Sequence, residues 1–229
     1  MIDIASRLQA VQDRIRTAAE AAHRRPEDVR LIAVSKTFPA QAIREARIAG
    51  QHTFGENYLQ EARSKIEALQ DLQLEWHFLG PIQSNKTRSI AQCFSWVHSV
   101  DSLKHAQRLS DARPIDLPPL QICIQVNVSG EVTKSGCDPG RVGDLATAAY
   151  GLPRLRLRGL MAIPEPSADI EAQRQSFEQL RRMKDQIVAA GLELDTLSMG
   201  MSDDLEAAIS EGSTMVRVGR AIFGPRQRR

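Results

Sequence analysis

The chain has no apolar run long enough to cross a bilayer, and its first residues, Met1-Ile2-Asp3-Ile4-Ala5-Ser6-Arg7, lack the apolar core of a secretory leader. A soluble, cytoplasmic protein is therefore expected. Charge of one sign is also missing. The 30 Lys and Arg balance 28 Asp and Glu to a formal net charge of +2, which sets up no wide field for nucleic acid or an anionic membrane. The basic cluster Arg226-Gln227-Arg228-Arg229 reads as a solvated tail. Cysteine is scarce: Cys93, Cys123 and Cys137 have no zinc-type spacing, leave an odd thiol if two pair, and read as reduced intracellular residues. His77 and His98 have no second ligand at metal spacing, so they read as hydrogen-bonded structural residues, the other reading being that they line a strand-end mouth. A heptad seam is absent, which leaves a monomer as the expectation. No linker divides the 229 residues, and one domain over residues 1–229 is expected.

What is present is alternation. Ile4, Leu8, Val11, Ile15, Ala18 and Ala22 recur at spacings of three and four and predict an amphipathic helix from Asp3 that ends before Pro26. Eight apolar or β-branched runs follow, at 31–35, 52–55, 76–80, 96–100, 120–128, 155–163, 194–200 and 214–219. Between them lie helical segments at 39–49, 57–69, 83–92, 103–112, 140–150, 170–190 and 203–211. Strands too apolar to carry a wet face, each followed by a helix, argue for a parallel sheet buried on both sides. Eight such units predict an α/β fold, a single (β/α)8 TIM barrel preceded by an N-terminal helix. The alternative, an open doubly wound sheet, lacks a G-x-G-x-x-G after its first strand.

Active sites of such barrels lie at the C-terminal ends of the strands. Lys36 ends the first apolar run there. Desolvating its ammonium favours the neutral amine, a nucleophile able to form a Schiff base with an aldehyde, whereas a lysine that snorkels to solvent does neither. Gly55-Glu56-Asn57, Gly80 to Asn85, Asn127 and Met161 fall at the same rim, as do the segments after the last two strands. Barrels often bind phosphate there. In Met199-Gly200-Met201-Ser202, Gly200 permits close approach, and Ser202 either serves a phosphate oxygen or caps the helix that begins at Asp203-Asp204. Those two acids repel phosphate unless they point away. Gly219 offers a bare N–H and Arg220 a charge-assisted contact. Arg217, on an alternating strand, points into the barrel while Val216 and Val218 face helices, and an ion pair with Glu56 is its other use.

Seven ordered segments carry a resemblance. They are Ala33-Val34-Ser35-Lys36, Phe54-Gly55-Glu56-Asn57-Tyr58, Trp76-His77-Phe78-Leu79-Gly80 with Gln83 and Asn85-Lys86, Asn127 with Lys134-Ser135-Gly136, Gly159-Leu160-Met161, Leu197 to Ser202, and Gly212 to Gly224. The chain resembles the pyridoxal phosphate homeostasis proteins, which are similar in fold to the N-terminal barrel of alanine racemase. That resemblance implies pyridoxal 5'-phosphate held as a Schiff base on Lys36 and Arg217 facing the pyridine nitrogen. It also implies that Asn57 lines the ring side and that Ser202, Gly219 and the backbone of Arg220 hold the phosphate. Many relatives carry a small hydroxyl residue where Arg220 stands, so the resemblance assigns that contact to its backbone.

It further implies a cofactor-binding protein without catalytic turnover. Racemases place a lysine and a tyrosine on opposite faces of the substrate, and proton transfer needs both within hydrogen-bond reach. The chain has only two tyrosines: Tyr150, far from the rim, and Tyr58, at the start of a helix. A carrier that passes the cofactor to apo-enzymes is the reading favoured, with Lys134 either a second amine for the hand-off or a surface lysine. A weak racemase or decarboxylase working through Lys36 alone is the alternative, and a phosphosugar-binding barrel is a third.

Overall fold

The structure, a computed structural model, describes residues 3–129 and 135–225. Lys134 and the basic run at 226–229 lie outside the described residues. Helix α1 (Ile4–Ala21) starts where Asp3 accepts a 2.7 Å bond from the Ser6 N–H, the N-cap contact that satisfies an otherwise orphaned donor. It ends earlier than Pro26 because the chain turns through a left-handed His23 at φ 54.

Strands and helices then alternate: β1 (Arg30–Val34), α2 (Ala40–Ile48), β2 (Thr53–Glu56), α3 (Leu59–Ala68), β3 (Glu75–Phe78), α4 (Thr87–Cys93), β4 (Trp96–Val100), α5 (Leu103–Ala112), β5 (Leu120–Gln125), α6 (Val142–Tyr150), β6 (Leu155–Met161), α7 (Ile170–Ala189), β7 (Thr196–Ser198), α8 (Leu205–Ser210), β8 (Met215–Val218) and α9 (Arg220–Phe223). Each strand pairs in parallel with the next, and β8 returns to β1, with Ile32 opposite Arg217. The result is the closed (β/α)8 barrel that the alternation predicts. Helix α1 packs on α8 and α9.

Side-chain alternation along the strands divides the core in two. The larger cluster, between strands and helices, takes Leu31, Ala33, Phe54, Val97, Ile122, Val216 and Val218, together with Leu8, Val11 and Ile15 of α1. The smaller one, Ile32, Val34, Leu79, Trp96, Cys123, Met161 and Met215, fills the barrel itself. Glycine enters where two backbones meet: a Cβ on Gly159 would stand 1.8 Å from the Thr196 carbonyl oxygen.

Beyond shifts of a few residues at several other boundaries, three elements differ from the sequence expectation. Strand β5 stops at Gln125 with only an isolated bridge from Val126 to Cys137 beyond it, because an apolar run does not reveal where a ladder stops. Strand β7 has three residues and leaves the sheet before Gly200, whose φ is +94. Helix α9 has four residues, too few to show a period.

Candidate functional site

The C-terminal rim opens into a cavity of about 520 Å³. Lys36, Asn57, Ser202, Arg217, Gly219 and Arg220 all line it, above an apolar floor of Val34, Leu79 and Met161 from the inner core.

Lys36 lies just past β1, half-buried, on a turn clamped from both sides. The Ser35 N–H donates to Gly55 O at 3.0 Å and the Ser35 hydroxyl to Glu56 Oε1 at 2.7 Å. On the other side of Lys36, the Thr37 N–H donates to Glu61 Oε1 at 2.6 Å. Thr37 has φ 71, uncommon for a β-branched residue and a strain of the order of 1–3 kcal/mol that its surroundings must hold. Beneath the turn, Lys65 Nζ donates to the Ser35 carbonyl at 2.7 Å and to Glu56 Oε1 and Glu61 Oε1, each at 2.6 Å. Burial pushes the Glu56 carboxyl up, against the pull of Lys65.

Arg217 is buried and faces inward from β8. Its Nη1 donates to Ser198 Oγ at 2.7 Å and its Nη2 to the Ala162 carbonyl at 2.9 Å. The alternative pairing with Glu56 is thereby replaced, since Glu56 is taken by Ser35 and Lys65. Burial lowers Arg217 to about 10, which still leaves it a cation near neutral pH.

The third wall is made by the segments after β7 and β8. Ser202 sits ahead of Asp204, the N-cap of α8, so the cap role open to it from the sequence is not the one it has. Asp204 turns back to accept from the Met201 N–H at 2.5 Å, and Asp203 pairs with Arg220 on the exposed side. Gly219 is the N-cap of α9, and a Cβ there would lie 3.0 Å from Val34 O. The first-turn N–H groups of a helix, here those of Arg220 and Ala221, have no carbonyl within the helix to bond. Asn57 follows β2, and its carbonyl lies where a Cβ on Gly80 would come within 1.9 Å, so only glycine at 80 lets it sit at the cavity edge.

The alanine racemase N-terminal domain family matches residues 6–227. The pyridoxal phosphate homeostasis protein of Pseudomonas aeruginosa is 62% identical over 226 residues, 99% of this chain and 97% of that protein. Its counterpart in Escherichia coli K12 is 53% identical over 234 residues, 99% of this chain and 98% of that one. The chain belongs to the pyridoxal phosphate homeostasis protein family. Among solved structures, PipY of Synechococcus elongatus with PLP bound matches at TM-score 0.86 and 38% identity, over 97% of this chain and 100% of that one.

Sequence reasoning missed two things. Phe38 and Asp203 also line the cavity. Lys65 carries the clamp under Lys36, and the Glu61-to-Lys65 spacing on α3 was its only signal. His77 and His98 are the hydrogen-bonded structural residues that the sequence favours: they lie buried inside the barrel, bonded to one another, and do not line the mouth. Asn127, beyond β5, is not part of the cavity wall.

Proposed function

We propose that this protein holds pyridoxal 5'-phosphate in the rim cavity as a Schiff base on Lys36 and stores or passes on the cofactor without catalytic turnover. The observation that carries the reading is that one cavity brings together an amine, a buried cation and, after β7 and β8, a hydroxyl beside a glycine-opened helix start: Lys36, Arg217, and Ser202 with Gly219 and Arg220. Pyridoxal phosphate, when bound, supplies an aldehyde that amines attack and a ring that withdraws electrons. Lys36 contributes the attacking amine. Arg217 is a donor only, so it does not take a proton from the ring nitrogen, and its charge disfavours a second one there. This suits holding better than transamination. Ser202, the Gly219 cradle and the Arg220 backbone hold the phosphate, and Asn57 lines the ring side.

The absence of turnover is supported by the tyrosines. Neither lines the cavity: Tyr58 is the N-cap of α3 and 55% exposed, and Tyr150 ends α6. Among the described residues, no tyrosine is placed as a second base opposite Lys36. The large exposed apolar residues, among them Ile48, Leu103, Ile115, Tyr150 and Ile170, are spread over several helices and loops, which supports a monomer, and we read the chain as one domain. No helix among the described residues is long and apolar enough to cross a membrane; we place the action in the cytoplasm, with apo-enzymes as the recipients of the cofactor.

The test is the visible spectrum of protein mixed with pyridoxal phosphate, before and after borohydride, with mass analysis of the reduced product. Wild type should turn yellow and keep the reduced adduct on the peptide containing Lys36, while Lys36→Ala should keep none. Deuterium uptake at the α-carbon of added amino acids would support the racemase alternative over storage. A wild type that stays colourless would refute the cofactor reading.

A further inference from the structure

A row of polar side chains crosses the apolar interior of the barrel, and the function proposed above uses only its last member. It begins at Glu75, the first residue of β3, whose Oε1 lies 2.8 Å from Arg30 Nη1 and 2.6 Å from His77 Nε2. His77 Nδ1 stands 2.8 Å from His98 Nε2, and His98 Nδ1 stands 2.8 Å from Ser198 Oγ. Arg217 Nη1 closes the row on Ser198 Oγ at 2.7 Å. The path runs from the N-terminal end of β3 through β4 and β7 to the rim cavity at β8. His77, His98 and Ser198 are each 0% exposed, so bulk water completes none of these bonds.

The two ends fix the direction of every bond between them. A guanidinium only donates, and a carboxylate only accepts. Its bond from His77 holds Glu75 below the usual carboxylate range, and Glu75 therefore stays ionised and takes the His77 Nε2–H. A neutral His77 then offers a bare Nδ1, which His98 must fill with its own Nε2–H. His98 Nδ1 is left as a lone pair, and the Ser198 hydroxyl donates to it. The Ser198 lone pairs in turn receive Arg217. With both rings neutral, each donor meets an acceptor. Reversing one bond between neutral rings sets two buried hydrogens or two lone pairs against each other. Burial lowers the basicity of both rings, and of the charged groups around them only Glu75 favours a proton, while Arg30 and Arg217 oppose it. Trp96 stacks on His77 at 5.3 Å and an interplanar angle of 7°, which holds that ring in the plane the row requires.

We infer that His77, His98 and Ser198 are positioning residues, a polarised relay through which the Glu75 carboxylate at the far end of the barrel fixes how Arg217 is presented to the rim cavity. The effect on a bound cofactor rests on the reading that the cavity holds pyridoxal phosphate with Arg217 at the ring nitrogen. The relay itself is a property of the protein without it. Ser198 cannot turn its hydrogen toward Arg217, and Ala162 O holds the second guanidinium nitrogen at 2.9 Å, so the plane of the group is set from two sides.

The relay is tested first in the cofactor-free protein, by nitrogen-15 NMR of the labelled imidazoles. In wild type, His77 and His98 should both be neutral Nε2–H tautomers. Glu75→Gln, whose amide both gives and accepts, should turn them into tautomer mixtures, and Glu75→Asp, which keeps the charge, should restore one form. A wild type with either ring charged near neutral pH, or in the Nδ1–H form, overturns the relay. The second arm follows the pH titration of the visible band of protein-bound pyridoxal phosphate. Glu75→Gln should move its midpoint by roughly half a pH unit and Glu75→Asp should return it. Scrambled tautomers with an unmoved midpoint overturn the influence on the cofactor. A wild type that takes up no pyridoxal phosphate overturns the cofactor reading and that influence together, and the NMR result then decides the relay alone.

Discussion

Acidifying the solution from about pH 7.5 to about pH 5.5 should destabilise the folded protein through His77 and His98. Both rings are fully buried and depressed below the ordinary 6.5, chiefly by desolvation. An unfolded chain exposes them, and they then bind protons below 6.5 that the folded chain refuses. The unfolded state therefore holds more protons in this window, and stability falls as the pH falls. While a ring stays neutral in the fold, the loss is roughly 1 kcal/mol over this interval, so the two together lose at most about 2–3 kcal/mol. Glu75, whose folded value lies below 4.5, also contributes stability that disappears on acidification, but only as the pH falls through that lower value. The two effects are separated in pH. Urea unfolding followed by the fluorescence of Trp76 and Trp96, 6% and 4% exposed, measures the change. The control is the double variant His77→Gln with His98→Gln, which should lose most of this slope whatever its absolute stability. Equal slopes in wild type and double variant would show that the rings titrate in the folded protein, and would refute the neutral pair.

Lys65→Met should destabilise the protein by about 3–5 kcal/mol in denaturant titration, because it strands the buried Glu56 carboxylate; a change below about 1 kcal/mol would show that the clamp is not a buried ion pair. Gly80→Ala should lower the melting temperature and weaken pyridoxal phosphate uptake together, since its Cβ would meet the Asn57 carbonyl at 1.9 Å; a variant matching wild type in both would contradict that contact. Burial pushes the Cys123 thiol up to about 12 and the Cys137 thiol to about 11, so iodoacetamide near neutral pH should spare both until denaturant is added. Mass mapping of a labelled Cys123 in folded protein would count against this burial.

Sequence alone marked the strands and helices, because their periods are local properties, and favoured a barrel over an open sheet, while closure itself came only with the pairing of β8 to β1. Apolar runs with no wet face require cover on both sides, and eight of them in alternation with helices lead to a barrel. The same topology put Lys36, Asn57, Ser202, Arg217, Gly219 and Arg220 at one rim, since each follows or ends a parallel strand. Their assignment to a cofactor came from ordered motifs that resemble a family, because spacing by itself left Lys36 open between nucleophile and surface residue. Tertiary structure decided what touches what. Glu56 belongs to Lys65 rather than Arg217, a choice between two cations that strand alternation cannot make. Ser202 is not the cap of α8, because the chain takes the left-handed Gly200 turn and begins the helix later. The bonds from His77 to His98 and from His98 to Ser198 join residues 21 and 100 positions apart, and no local pattern marks such pairs. Only closure of the barrel brings them into line, with the carboxylate at one end and the guanidinium at the other.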